Sequence, residues 1–309
     1  MGRRAIHGIC REWLAVPAEV PPPQSPPPSA TLPLATKLYV LVQFAATLAL
    51  ALPIFILRDV HTPGAPQERF PVNLLHVNAD QTPIVYRQLG RKLFEDRYSV
   101  GIWHWELDEL PDEYLASFEF LDELWAPSLF ILRCLSDKSP IPVVHMPHAV
   151  SASASPTASR SAFGLPADAF LFLVMYDMLS IQERKNPLGA IEAFARAFPT
   201  PGDARLVIKL SHGSSRPTDL AQLHERVAKI PGVIILDRIL ERQAVYDLQA
   251  SCDALVSLHR SEGWGLNLSE SMLLGKPVIA TAYSGNMDFM NRQNSCLVDY
   301  RLAPLQTDF

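Results

Sequence analysis

The chain has 309 residues, which is enough for two ordinary domains that each bury a core. Apolar residues make up 48% and charged residues 19%, a composition that excludes a disordered chain and a membrane protein with many spans. The formal net charge of −5 offers no basic surface for a phosphate backbone, so no nucleic acid partner is expected. The cysteines form no CxxC pair and have no histidine at ligand spacing, which favours buried, reduced thiols in a cytoplasmic protein. They are Cys10, Cys134, Cys252 and Cys296.

The N-terminal segment contains two unusual stretches. Two runs of three prolines, at 21–23 and 26–28, predict an extended, disordered tail over residues 1–35. Residues 38–57 then carry no charge over a length that could cross a bilayer. This stretch is either a single membrane span or a helix that stops near Pro53 and is followed by a buried strand. Because strands and helices alternate after it, we favour the second interpretation.

Further along, the sequence alternates between short apolar runs and amphipathic segments, which is typical of α/β proteins. In the first half the predicted elements are strand Val72–Val77, helix Ile84–Phe94, strand Val100–Trp105, helix Asp112–Phe120, and then Leu124–Ala126, Phe130–Leu135 and Val143–Met146. Residues 151–161 are rich in serine and alanine, which predicts a linker between domains.

The second half alternates more clearly. The seven-residue apolar run Phe170–Tyr176 indicates a strand covered on both faces. Asn186 and Pro187 suit the cap and first position of a helix, whose predicted apolar face is Leu188, Ile191, Phe194 or Ala195, and Phe198. The remaining predicted elements are strands Arg205–Leu210, Val233–Leu236, Ala254–Leu258 and Pro277–Ala280, and helices Asp219–Ala228, Gln243–Ala250 and Asn267–Leu274. This order predicts parallel sheets in two Rossmann-like domains, residues 36–150 and 151–309, which face each other across a cleft.

The most informative segment is Ser261–Met272, which follows a predicted strand and enters a helix. Ligands of open α/β sheets bind at the carboxyl ends of strands, and a helix N-terminus attracts a diphosphate. Glu262 and Glu270 could bracket such a ligand and accept hydrogen bonds from sugar hydroxyls. An alternative stays open: Asn267 and Glu270 also fit a capping box, and Trp264 could belong to the core.

Two glutamates separated by seven residues, within Glu-Gly-Trp-Gly-Leu, resemble the E-x7-E motif of family 4 retaining glycosyltransferases of the GT-B fold. Other stretches resemble the same family, and the likeness extends over roughly residues 70–305. They are Gly101–Glu106, Asp122–Pro127, Met146–His148, Arg184–Pro187, Ile191–Phe194, Met272–Thr281 and Tyr283–Asp288.

The resemblance implies a GT-B-like α/β fold and a role for each matching residue. Glu262 is expected to contact the donor sugar and Glu270 the ribose, while Lys185 neutralises the diphosphate. Arg184 is the candidate for an arginine that relatives carry several residues earlier. The remaining donor-site candidates are Gly263, Trp264, Gly265, Leu266 and Asn267, and the residues expected to border the cleft are His104, Glu106, Arg238 and Ile239.

The resemblance also implies the chemistry. The donor is a UDP-, GDP- or ADP-sugar, and the acceptor is a glycan or a lipid-linked molecule. Transfer retains the anomeric configuration and needs no cofactor or metal, in keeping with the lack of a DxD pair. The lack of GxGxxG argues against a dehydrogenase.

The chain also departs from the family. It has no glycine between Gly8 and Gly64, where relatives carry a Gly-rich loop, and it ends at Phe309, where they continue. Both domains are therefore expected to be incomplete. This leaves an alternative function: a non-catalytic fragment that binds nucleotide-sugars, with a possible membrane anchor at 38–57 or association with the inner face of a membrane.

Overall fold

The computed structural model describes residues 72–200 and 202–303. The predicted tail, the apolar stretch 38–57 and Cys10 lie outside these residues. Within the described ranges, no helix is long and apolar enough to cross a membrane. The cytoplasmic location and any contact with a membrane stay predictions of the sequence.

The N-terminal domain is built on a sheet of four parallel strands in the order β1-β2-β3-β4. The strands are β1 Val72–Leu75, β2 Tyr98–Ile102, β3 Glu123–Ala126 and β4 Val143–His145, and the α-helices are α1 Thr82–Leu89 and α2 Leu129–Ser136. Two 3₁₀ helices, Arg91–Leu93 and Asp112–Phe120, complete the connections. The core of this domain contains Trp103, Leu124 and Ile131, each at most 1% exposed.

The C-terminal domain contains six parallel strands in the order β10-β9-β8-β5-β6-β7. The strands are β5 Phe170–Asp177, β6 Ala204–Ser211, β7 Val233–Asp237, β8 Ala254–Ser257, β9 Val278–Thr281 and β10 Cys296–Val298. The α-helices are α3 Gln182–Lys185, α4 Pro187–Ala197, α5 Pro217–Val227, α6 Arg242–Ser251 and α7 Leu266–Leu273, and the 3₁₀ helices are Arg160–Phe163, Gly213–Ser215 and Gly285–Asp288. The chain leaves β5 toward β7 and returns through β8 to β10, so β5 and β8 flank the switch point at which such sheets bind ligands.

The start of α4 shows how local sequence sets an element here. Asn186 caps the helix, since its side-chain oxygen accepts from the Gly189 N–H at 3.2 Å, and Pro187 occupies the first turn. Ile191 and Phe194 are buried as predicted. The prediction for Leu188 was wrong, because half of this side chain is exposed.

Other differences between expectation and structure have local causes. The predicted helix 84–94 is divided at Gly90, whose φ of +76° ends α1. The predicted helix over Asp112–Phe120 is a 3₁₀ helix. Strand β2 ends at Ile102, so the three residues after it, which were predicted to continue the strand, lie outside it. Cys134 and Cys252 are buried as predicted, whereas Cys296 is exposed on the edge strand β10.

The two domains meet through polar contacts at the carboxyl ends of their strands. Asp288 Oδ2 accepts from the Leu129 N–H at 2.8 Å, at the N-terminus of α2. The Ser261 hydroxyl donates to the Glu106 carbonyl across the same interface. Residues from both domains therefore line one cleft.

Candidate active site

A cleft of about 400 Å³ lies at the switch point between the two domains. The C-terminal domain supplies the end of β5 and the segment from Glu262 to Asn267, which joins β8 to α7. The N-terminal domain supplies His104, Glu106 and His148. The structure therefore brings predicted residues from both halves of the chain to one place.

Glu262 is the centre of the charged cluster in this cleft. It is 7% exposed, and Lys185 Nζ donates to its Oε1 at 2.6 Å. Arg184 Nη1 lies 3.4 Å from its other oxygen and Arg184 Nη2 lies 3.1 Å from Glu106. Burial by itself raises the pKa of Glu262, but the charges of Lys185, Arg184 and His259 outweigh it and hold the pKa below its ordinary value. Glu262 is therefore an anion held by two cations.

The backbone of Glu262 is held by the loop after β9. Its N–H donates to Ser284 Oγ at 2.8 Å, and its carbonyl accepts from the Gly285 N–H at 2.9 Å. Ser284 has φ +78° and ψ −149°, a conformation that is ordinarily confined to glycine and costs a non-glycine residue about 1–3 kcal/mol. The strained residue is therefore the one that holds the backbone N–H of Glu262.

Glu270 lies on α7 and is 1% exposed. Its carboxylate accepts from the Arg242 guanidinium, which reaches it from α6. Burial raises the pKa of Glu270 above its ordinary value, and Arg242 offsets only part of that shift.

The capping-box interpretation of Asn267 and Glu270 is wrong. The cap of α7 is Gly265, in the left-handed conformation at φ +89°, and the helix begins at Leu266. Glu270 is therefore the fifth helical residue, two positions too late to return a hydrogen bond to the cap as the third residue of a capping box does. Its burial against Arg242 needs another explanation.

The N-terminus of α7 opens into the cleft through Gly265, Leu266 and Asn267. The first N–H groups of a helix have no partner within the helix and carry its positive dipole end, so this point suits an anionic group. Trp264 lies beside it, half-buried, with its Nε1 donating to Ser269 Oγ at 3.2 Å. Because Trp264 also packs on Phe289 at a centroid distance of 4.9 Å, it belongs to both the core and the cleft wall.

Three histidines stack where β1, β2 and β4 end. The rings of His76 and His104 are 4.8 Å apart, and those of His104 and His148 are 4.9 Å apart. The Nε2 atoms of His104 and His148 are 3.0 Å apart, so one ring donates and the other accepts. Burial lowers the pKa of His104 to about 3, with smaller contributions from the two neighbouring rings. His104 is therefore neutral near pH 7.

We expect this neutral histidine to make stability depend on pH. The unfolded chain binds a proton at His104 below about pH 6.5, whereas the folded chain binds it only near pH 3. Stability should thus fall as pH decreases through this window, by at most about 1.4 kcal/mol per pH unit from this group. Urea unfolding of His104→Gln should give a flatter pH dependence than the parent. The exposed His224→Gln serves as the control, and equal slopes for the parent and His104→Gln would contradict the prediction.

Sequence reasoning overlooked several residues of the cleft. Lys209, which is buried in β6, Arg242 and His148 line it. Tyr176 also lines it, with a hydroxyl that has no hydrogen-bond partner among the residues that the structure describes. His148 lies in the stretch Met146–His148 that resembles the family but was given no role there, and the other three had no motif. The tentative pair Arg238 and Ile239 follows β7 and is exposed, outside the residues that line the cleft. Within residues 72–200 and 202–303, no group of three or more His, Cys, Asp or Glu side chains could hold a metal.

One family model and several solved structures are similar to this chain. Residues 173–304, less than half of the chain, match the family model of glycosyl transferases group 1. Anabaena HepE in complex with UDP-glucose is 18% identical with a TM-score of 0.57, over 74% of this chain and 65% of HepE. This resemblance covers both domains, so it concerns the whole described arrangement. The fold is GT-B.

Two other solved structures have a similar fold. Sucrose-phosphate synthase from Thermosynechococcus elongatus is 16% identical with a TM-score of 0.60, over 74% of this chain and 61% of the synthase. A glycosyltransferase from Rickettsia africae is 17% identical with a TM-score of 0.60, over 74% and 62% of the two chains. This GT-B chain thus spans less than two thirds of each of these relatives. No curated protein sequence matches it.

Proposed function

We propose that this GT-B chain transfers a sugar from a nucleotide-sugar donor to an acceptor hydroxyl, with retention of the anomeric configuration. The observation that carries the proposal is the Lys185–Glu262 pair at 2.6 Å, beside the N-terminus of α7 and at the switch point of the sheet. A cation, a helix N-terminus and a buried carboxylate are the groups that a diphosphate and a sugar require.

The donor is proposed to bind with its diphosphate between Lys185 and the free N–H groups of Leu266 and Asn267. Its sugar hydroxyls would donate to Glu262, and its ribose to Glu270 in competition with Arg242. Because the solved HepE and pneumococcal GtfA complexes contain UDP or UDP-sugar, UDP is the first nucleotide to test. GDP- and ADP-sugars and a glycan or lipid-linked acceptor remain part of the proposal.

The proposed chemistry exchanges one C–O bond for another at the anomeric carbon. The bond to the diphosphate breaks, its electron pair stays on the phosphate oxygen, and the acceptor oxygen attacks from the same face. The acceptor proton passes to the leaving phosphate. Lys185 and the α7 N-terminus stabilise the negative charge that develops there, which is the largest contribution that a preorganised site usually makes.

Donor binding should not require a divalent metal, because Lys185 and α7 supply the positive charge. Titration of UDP in EDTA should give the same Kd as titration in magnesium or manganese. The site assignment is wrong if EDTA abolishes binding and either metal restores it.

The two glutamates should respond differently to substitution. Glu262→Gln should not weaken UDP binding, because it changes the proposed contact to the sugar and releases Lys185 from its ion pair. It should lower turnover of UDP-glucose by about 100-fold or more. Glu270→Gln should weaken UDP itself, since it replaces the charged acceptor of the ribose hydroxyls with a neutral amide, one side of which can only donate. Calorimetric titration with UDP and with UDP-glucose, together with a transfer assay, measures both effects.

Glu225→Gln, on the exposed face of α5, is the matched control for the removal of one carboxylate charge. Parent-like binding and turnover in both site variants would make the two glutamates structural. Binding of UDP-glucose without transfer or hydrolysis would favour the alternative function, a module that binds nucleotide-sugars.

A further inference from the structure

A second and larger cavity lies in the C-terminal domain, outside the donor cleft. Its volume is about 650 Å³, within the range of small-molecule sites. It is bounded by α3, the start of α4 and one face of α5 from Asp219 to Arg226, and Ser180 lines both this cavity and the cleft. Apart from Ser180, the residues of this cavity have no function in the proposed donor site.

Three arginines line this cavity. Arg226 is paired with Glu192 at 2.6 Å. Arg216 and Arg260 are exposed, and neither side chain makes a hydrogen bond or an ion pair with any residue in 72–200 and 202–303. Two uncommitted guanidinium groups facing one concave space are suited to bind a phosphate, which each can hold through two N–H donors.

The acidic and apolar side chains of the cavity indicate which kind of phosphate compound it could bind. Glu183 and Asp219 also line the cavity, and their carboxylates have no partner among the described residues. Carboxylates need donors, and sugar or polyol hydroxyls provide them. Ile181 and Leu188 at the rim are 44% and 50% exposed, so they can cover the apolar face of a sugar ring.

We propose that this cavity binds a small phosphorylated sugar, held by Arg216 and Arg260 at the phosphate and by Glu183 and Asp219 at the hydroxyls. The concave shape favours an enclosed small molecule over a membrane surface, which docks on protruding groups. The site also explains why Leu188 is exposed on a helix face that is otherwise buried.

A backbone hydrogen bond connects the second cavity with the donor site. The Arg260 N–H donates to the Arg184 carbonyl at 2.8 Å, and Arg184 in turn lies 3.4 Å from Glu262. The two sites are nevertheless distinct, because the side chains that would hold the phosphate do not line the cleft. Both sites should therefore be occupied at the same time. Binding at the second site does not require the proposed transferase function.

The test is calorimetric titration of the full chain with glucose 6-phosphate, fructose 6-phosphate and ribose 5-phosphate in saturating UDP. At least one of them should bind at a single site, and more tightly than inorganic phosphate or glucose. Arg216→Gln and Arg260→Gln should each weaken that binding tenfold or more at an unchanged melting temperature. Arg196→Gln, on the exposed face of α4, should bind like the parent.

Several results would overturn the inference. One is that none of the three compounds binds. Another is that UDP or Lys185→Ala abolishes binding while the Arg216 and Arg260 variants retain it, which would place the ligand in the donor cleft. A third is that phosphatidylglycerol vesicles bind through these arginines and the free compounds do not. A chain that binds a sugar phosphate here but no nucleotide in the cleft would refute the proposed function and leave this inference standing.

Discussion

Lys185→Ala is expected to weaken UDP binding by about 1.5–3 kcal/mol, the range for a lost charge-assisted contact. This corresponds to roughly 10- to 150-fold in Kd. Binding of uridine should hardly change, because a nucleoside lacks the diphosphate that Lys185 is proposed to neutralise. Transfer of the sugar should fall below detection, since the charge that develops on the leaving group loses its cation.

The same substitution should alter Glu262. Burial raises the pKa of this carboxyl and the Lys185 charge opposes it most strongly, so the pKa should rise in the variant. Arg184, 3.4 Å away, would be the cation left beside it. The pH below which UDP-glucose binding weakens is therefore expected to move upward in Lys185→Gln. The shift should be smaller in Lys185→Arg, which keeps the charge in a different geometry.

Lys229→Ala is the matched control, because this lysine is 74% exposed and pairs only with a surface glutamate. Titration of UDP and of uridine into each variant distinguishes the outcomes. Equal losses for the two ligands would place Lys185 away from the phosphates and remove the main support of the donor site.

Gly285→Ala is expected to destabilise the protein and to displace the donor site. A Cβ at this position would lie 1.9 Å from the Gly263 carbonyl oxygen and 2.9 Å from the Glu262 carbonyl oxygen. These are backbone atoms, so the segment that carries Glu262 must shift. Overpacking of this kind costs about 1–3 kcal/mol or more, and a site displaced by 1 Å can lose about 100-fold in rate.

Thermal unfolding and UDP titration measure the two effects of Gly285→Ala. Gly202→Ala provides the control, because among the described residues the nearest atom to a Cβ there, outside its chain neighbours, is the Thr200 carbonyl oxygen at 4.0 Å. If Gly285→Ala keeps the parent melting temperature and UDP affinity, the loop after β9 does not position Glu262.

Local sequence determined the alternation of elements in this protein. The apolar run of β5 and the cap at Asn186 are signals contained in a few neighbouring residues, and both elements form where they were predicted. The glycine loop after β8 and the helix that follows it were also predicted from neighbouring residues. They placed Glu262 at a strand's carboxyl end, where a parallel sheet binds its ligands.

Partners that are distant in sequence were decided only by the tertiary structure. Arg242 meets Glu270 across 28 positions, and His104 meets His148 across 44, because neighbouring elements bring them together. The pattern of Asn267 and Glu270 predicted a cap at Asn267, yet the helix is capped two positions earlier, at the left-handed Gly265. Periodicity likewise marked Leu188 as buried, although it lies at the rim of a cavity. A sequence pattern reports the face of an element, whereas what covers that face depends on how the elements pack.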